Sequence, residues 1–232
     1  RPRRVLEVGT AEGYLSERMA AMGCEVVGIE LDPELAEQAR PHCAKLLVGG
    51  IEALDLEALG TFDMILCADV LEHLRDPEAT LQRLVAQLEP GGTAVVSLPN
   101  IAMWLWRLKL LMGRFEYEER GPMDRTHLRF YTHVTGKRLM REGGLMDADS
   151  VATPLPLPTV APAFGPGRGL AFLHRFNNWL TAKRPTFFGY QFVFEAKKSR
   201  VAAVPPPDLS EQLKLVMESA IAHREATVAA QP

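Results

Sequence analysis

Val5-Leu6-Glu7-Val8-Gly9-Thr10-Ala11-Glu12-Gly13 is the stretch on which the fold turns. A short apolar strand runs into a bend of small residues, and Glu12–Met22 then reads as a helix with Gly23 as its stop. Glu25–Glu30, rich in β-branched residues, reads as a second strand and ends on a carboxylate about 20 residues beyond the bend. Small residues allow a ligand close to the backbone. A carboxylate at the end of the second strand can accept both ribose hydroxyls of an adenosine, at the sheet end where open α/β folds bind their ligands.

The same alternation continues outward. Asp32 caps a helix with Pro33 in its first position. Leu46–Gly49 is a third strand and Phe62–Cys67 a fourth. Asp76-Pro77 opens a helix that runs to about Leu88, and after the turn Pro90-Gly91-Gly92 comes a fifth strand, Thr93–Leu98. Strands alternating with helices of this length form βαβ units and a parallel sheet. Beyond Pro99-Asn100 the pattern changes. Ile101–Phe115 carries Trp104, Trp106, Arg107, Lys109 and Arg114; Thr135–Glu142 reads as a helix ended by Gly143-Gly144; 154–167 is rich in Pro and Gly; and Phe187–Glu195 reads as a late strand. The expected organisation is one domain over 1–198, with a lid or substrate segment at 101–134 and an insertion at 154–185. A linker at 199–207 contains Pro205-Pro206-Pro207. A terminal helix or tail over 208–232 starts with a capping-box pattern at Asp208 and Glu211.

Length and composition bound the alternatives. The 232 residues suit one domain with appendages. Hydrophobic residues at 47% and charged residues at 24% are an ordinary globular balance, and a net charge of −3 gives no global attraction to nucleic acid or an anionic membrane. Cys24, Cys43 and Cys67 are odd in number and widely spaced, against a disulfide framework or zinc knuckle and in favour of a reducing, cytoplasmic setting. No apolar run approaches the ~20 residues of a membrane span, and no signal peptide is visible. With no initiator Met and a strand almost at once, the chain reads as a cropped domain, with further domains expected in a longer protein.

A dinucleotide-binding fold makes the same demands on Gly9 and Glu30. Its G-x-G-x-x-G pattern is broken here, because Ala11 takes the middle position and no third glycine stands near Tyr14. Glu12 at the helix start would also repel a pyrophosphate. Taken together, Val5–Gly13, Val27-Gly28-Ile29-Glu30, Phe62–Leu74 and Leu88-Glu89-Pro90-Gly91-Gly92 resemble motifs of the class I S-adenosylmethionine-dependent methyltransferases, in their small-molecule branch. The resemblance covers about residues 3–150 and, more loosely, Phe187–Lys197. It implies a Rossmann-like doubly wound α/β fold, a seven-stranded sheet with strand seven antiparallel inside a three-layer αβα sandwich. It further implies that Glu7, Gly9 and Gly13 line the methionine part of S-adenosylmethionine, Glu30 holds the ribose, Ile51 packs on adenine, and Cys67, Ala68 and Asp69 face the methyl end. Members often carry Asp where Gly50 stands, so adenine is expected to rest on packing or on Glu52.

Methyl transfer to oxygen needs a base. The candidates are His73, His127 and His133, with Asp69 and Glu72; His73 sits at the rim after strand four, and His127 lies in Met123–Thr132, a segment similar to one that closes over the site in glycan and natural-product methyltransferases. His127 is favoured as base, His73 is the second choice, and Asp124, Arg125 and Trp104 are expected to position the acceptor. No metal is expected, because adjacent Glu72 and His73 should diverge by ~100° on a helix. The acceptor expected is a small molecule or a glycan, lipid-linked in one version, with peripheral membrane contact through the basic-aromatic segments Ile101–Phe115 and Phe172–Arg184. Two other readings stand beside this one: a non-catalytic methyltransferase-like module of a larger biosynthetic protein, and an NAD-dependent dehydrogenase.

Overall fold

The computed structural model describes residues 2–157 and 168–198. The linker expected at 199–207, the terminal helix expected at 208–232 and most of the Pro/Gly loop lie outside the described residues. The elements in chain order are β1 (Arg4–Val8), α1 (Tyr14–Ala21), β2 (Glu25–Glu30), α2 (Pro33–Ala39), β3 (Lys45–Val48), β4 (Phe62–Ala68), α3 (Pro77–Ala86), β5 (Leu88–Pro99), α4 (Trp104–Leu111), α5 (His133–Glu142), β6 (Leu145–Thr153), α6 (Arg168–Lys183), α7 (Pro185–Phe188) and β7 (Gln191–Lys198).

The seven strands form one sheet in the order β3-β2-β1-β4-β5-β7-β6. β1 to β5 run parallel, while β7 is antiparallel to both β5 and β6. Strand order therefore reverses between β1 and β4. Right-handed crossovers then put α1 and α2 on one face and α3 and α5 on the other, and α1 packs on α2 as α3 packs on α5. Helices on both faces bury both sides of the central strands. That is why Val5, Leu6, Val26, Val27, Ile29 and Ile65 read as near-continuous apolar runs rather than alternating ones.

Several boundaries differ from the sequence reading. α1 begins at Tyr14, because Gly13 stands before it in the left-handed region. Pro90-Gly91-Gly92 is a bulge inside β5, with Gly91 at φ +84 and a register shift against Phe62 and Met64. α5 starts at His133 through a capping box between Thr132 and Thr135. β7 starts at Gln191; Phe187 and Phe188 belong to the single turn α7, which opens with Pro185. β6 had no range in the sequence reading. Its polar residues Asp149 and Ser150 mask a strand that lies at the sheet edge and pairs on one side.

Candidate functional site

After Val8 the chain turns through three left-handed residues: Gly9 (φ +75), Ala11 (φ +47) and Gly13 (φ +88). A Cβ on Gly9 would stand 2.6 Å from Val70 Cγ2, and one on Gly13 would stand 2.7 Å from the Ala39 backbone, so neither position accepts a side chain. The bend is tied to β2 at two points. The Gly9 N–H donates to the Ile29 carbonyl (2.8 Å), and the Ala11 N–H donates to Glu30 Oε2 (2.7 Å). The Asp32 N–H donates to Glu30 Oε1 at 3.0 Å. Glu30, 8% exposed, is thereby held on the wall of a cleft of about 480 Å³. This size is in the range of cofactor sites, and each oxygen of Glu30 keeps accepting capacity for a hydroxyl.

Gly9, Glu30, Ile51, Ala68 and Asp69 line this cleft, as do Gly50 and Glu52. A Cβ on Gly50 would meet only Leu31 Cδ1 at 3.8 Å, so the wall there is open beside Glu52. Glu7, Gly13 and Cys67 are not among the lining residues. Glu7 is buried and accepts from Ser16 Oγ at 2.5 Å; burial raises its pKa, the Ser16 hydrogen bond opposes that rise, and the charge of Glu30 adds to it. Burial also pushes the Cys67 thiol far up, which leaves it inert.

A second, smaller cavity of about 260 Å³ opens beyond the end of β4, walled by Glu72, Arg120, Asp124, His127, Tyr190 and Gln191. Asp69 and His73 line both cavities. Asp69 has φ +54; its N–H donates to Ser97 Oγ (3.0 Å), and its Oδ1 accepts from Ser97 Oγ (3.0 Å) and from the Gln191 side-chain amide. Residues of β5 and β7 thus converge on one carboxylate just beyond the end of β4. The single 3-10 turn Leu71–His73 follows, and the segment after Asp124 laps over it, with the N–H groups of Leu128 and Arg129 both donating to the Glu72 carbonyl (2.8 and 3.0 Å).

That overlap lays His127 against Glu72 and His73 of the turn. His127 Nε2 is 3.9 Å from Glu72 Oε1, and the rings of His73 and His127 meet edge-to-face with centroids 4.7 Å apart. His127 Nδ1 is 3.4 Å from the Pro122 carbonyl. Nδ1 therefore carries the proton and Nε2 the lone pair. Burial, then the neighbouring His73, lower the pKa of His127. Glu72 is fully buried and neither carboxylate oxygen has a hydrogen-bond partner among the described residues; burial, then the charge of Asp69, push its pKa up to about 8. Burial would raise Asp124, but the two hydrogen bonds from Thr126 outweigh it and hold this carboxylate below its ordinary range.

The expectation that Glu72 and His73 diverge needs correction. Their ligand atoms and that of His127 all lie within 4.8 Å of one another, with Glu72 and His73 on a 3-10 turn that the overlapping loop brings His127 against. His133 does not join them: its Nε2 meets Ser150 Oγ at 2.8 Å and its ring packs on Phe192 and Phe194. Of the acceptor candidates, Asp124 lines the pocket. Arg125 is 63% exposed and pairs with Glu119 at 2.7 Å. Trp104 lies on the outer side of α4, and Trp106 is the tryptophan turned inward. Tyr190, Gln191 and Arg120 escaped the sequence reading. Gln191 reaches Asp69 only through antiparallel pairing of β7 with β5, which leaves no local signal.

The comparisons with known proteins bear on the family and the fold. Residues 1–148 match a family profile described as a methyltransferase domain. A ubiquinone biosynthesis O-methyltransferase of Xanthomonas campestris pv. campestris (strain B100) is 41% identical over 103 residues, a stretch covering 42% of this chain and 43% of that relative. The match therefore spans less than half the length of the curated relative. Among solved structures, a SAM-dependent methyltransferase from Archaeoglobus fulgidus aligns with TM-score 0.57 and 17% identity, covering 84% of this chain and 86% of the other. A magnesium protoporphyrin IX methyltransferase from Synechocystis with bound SAH aligns with TM-score 0.56 and 16% identity, covering 84% and 74%. At these identities the solved structures establish the fold, and the profile, which spans well over half of the sequence, establishes kinship: the chain belongs to the methyltransferase domain family.

Proposed function

We propose that this chain transfers a methyl group from S-adenosylmethionine to a hydroxyl of a small-molecule acceptor, with His127 as the general base. The observation that carries this reading is the junction of two cavities at Asp69 and His73, one holding Glu30 and the other His127. The cofactor supplies an electrophilic methyl on a positively charged sulfur. Glu30 binds the ribose, and the side-chain-free bend at Gly9 admits the rest of the molecule close to the backbone. On the other side, the acceptor hydroxyl lies in the polar pocket with Asp124 and Gln191 beside it. As its oxygen bonds to the methyl carbon and the carbon–sulfur bond breaks, the hydroxyl proton passes to His127 Nε2. The lowered pKa keeps that nitrogen unprotonated at neutral pH. Segment 101–134 covers the acceptor side in this reading.

The curated relatives direct the choice of acceptor toward hydroxyl-bearing precursors of ubiquinone. Glycan or lipid-linked hydroxyl acceptors are the wider class to screen. The test is transfer of a labelled methyl group to such a panel, together with a thermal-shift comparison of S-adenosylhomocysteine and NAD. Stabilisation by NAD alone would overturn the assignment; stabilisation by S-adenosylhomocysteine without any turnover would favour a non-catalytic module. A second reading rests on the Glu72, His73 and His127 cluster. A divalent cation bound there would activate the hydroxyl in place of a free base.

A further inference from the structure

Helix α6 lies outside the matched profile and contributes to neither cavity. Its inner side is settled: Thr181 is 3% exposed, and Asn177 Nδ2 donates to the Leu155 carbonyl at 2.9 Å. At about 100° per residue, Phe172, Phe176 and Trp179 fall within an arc of roughly 60° on the opposite side. They are 72%, 46% and 55% exposed, and the rings of Phe176 and Trp179 stack at 5.9 Å. Arg175 is exposed about 40° beyond one edge of that arc and Lys183 is exposed within it, near the C-terminal end; neither has an ion-pair partner among the described residues. Neither α6 nor the stretch from Arg184 to Tyr190 contains an acidic residue. The helix thus turns its apolar side outward and edges it with cations.

α4 repeats the pattern at the same spacing, with Trp104, Leu108 and Leu111 exposed. Arg107 stacks on Phe187 at 5.3 Å, which joins α4 to the turn that follows α6. Single exposed apolar residues are ordinary, but an aligned aromatic row with flanking cations marks an interaction surface.

We infer that α6 is an interfacial helix that docks this protein on an anionic lipid bilayer. Phe172, Phe176 and Trp179 enter the headgroup–acyl boundary while Arg175 and Lys183 meet lipid phosphates. A second copy of the chain fits less well, because an isologous contact through this row would set Arg175 and Lys183 of both copies against each other. The insertion that carries α6 leads directly into Tyr190 and Gln191 of the acceptor pocket, fastened where Asn100 Nδ2 donates to the Gly189 carbonyl at 2.8 Å.

The test is co-sedimentation of the 232-residue chain with vesicles of phosphatidylcholine, with and without phosphatidylglycerol. Binding is expected on the phosphatidylglycerol vesicles and is expected to fall with added salt. F172S/F176S/W179S and, separately, R175E/K183E should each lower the partition by roughly tenfold or more. Both variants should keep wild-type affinity for S-adenosylhomocysteine, which separates loss of docking from loss of fold and leaves the catalytic reading untouched. Absence of vesicle binding, equal binding to both lipids, equal binding by the aromatic variant, or a dimer abolished by that variant without vesicle binding would each overturn the inference.

Discussion

Glu72 Oε1 stands 3.9 Å from His127 Nε2 in a pocket where the carboxylate is fully buried and the imidazole is 8% exposed. Burial shifts the two groups in opposite directions, Glu72 up to about 8 and His127 below its ordinary range, so near neutrality the pair is mainly uncharged. The native state therefore holds a proton on Glu72 that the unfolded chain has released above its pKa of 4.5. Stability from this source is complete below that value and is lost as pH rises toward about 8. Gln mimics the neutral carboxyl. Glu72→Gln should match the wild-type Tm at about pH 5 and exceed it at about pH 9, by several degrees at the usual 2–4 °C per kcal/mol for a domain of this size. A constant Tm difference across that range would refute the buried-proton assignment.

His127→Ala should lower turnover by about 10²–10⁴ with the affinity for S-adenosylhomocysteine unchanged. In the wild type, the acid limb of kcat/KM should fall below the ordinary imidazole range, since His127 must lose its proton to act and its pKa is lowered. Turnover near wild type in the variant would remove His127 from the base role.

Glu30→Ala should weaken S-adenosylhomocysteine binding by about 100-fold or more, because two charge-assisted hydrogen bonds to hydroxyls contribute roughly 1.5–3 kcal/mol each. The same change frees the N–H groups of Ala11 and Asp32, so a lower Tm is expected as well. Calorimetry reads the first effect. Undiminished affinity would mean that the ribose lies elsewhere.

Chelation separates the two readings of the Glu72, His73 and His127 cluster. If His127 works as a free base, dialysis against EDTA leaves turnover unchanged. Loss of activity that a divalent cation restores would transfer the role to a metal.

Asn100 is fully buried; its Nδ2 donates to the Gly189 carbonyl at 2.8 Å and its Oδ1 accepts from the Ala102 N–H at 3.0 Å. Asn100→Ala orphans both partners. It should cost about 2–4 kcal/mol in denaturant unfolding and raise KM for the acceptor, since Tyr190 and Gln191 follow directly. A loss under about 0.5 kcal/mol, the level of an ordinary surface substitution, would contradict this role.

From the sequence alone came the doubly wound class, the Gly9–Gly13 bend and Glu30. Each rests on local chemistry: residues that tolerate a left-handed backbone, apolar runs buried on two sides, and a carboxylate at a fixed distance along the chain. Only the tertiary structure decided the acceptor side. Glu72 and His127 are far apart in sequence and meet because one loop crosses one turn. Gln191 reaches Asp69 because β7 enters the sheet antiparallel beside β5. The outward aromatic row of α6 became visible only once Thr181 and Asn177 had fixed which side of the helix packs. Local periodicity records which residues share a face. It does not record what that face meets, because contacts between distant segments depend on strand order and loop crossings that leave no pattern in neighbouring residues.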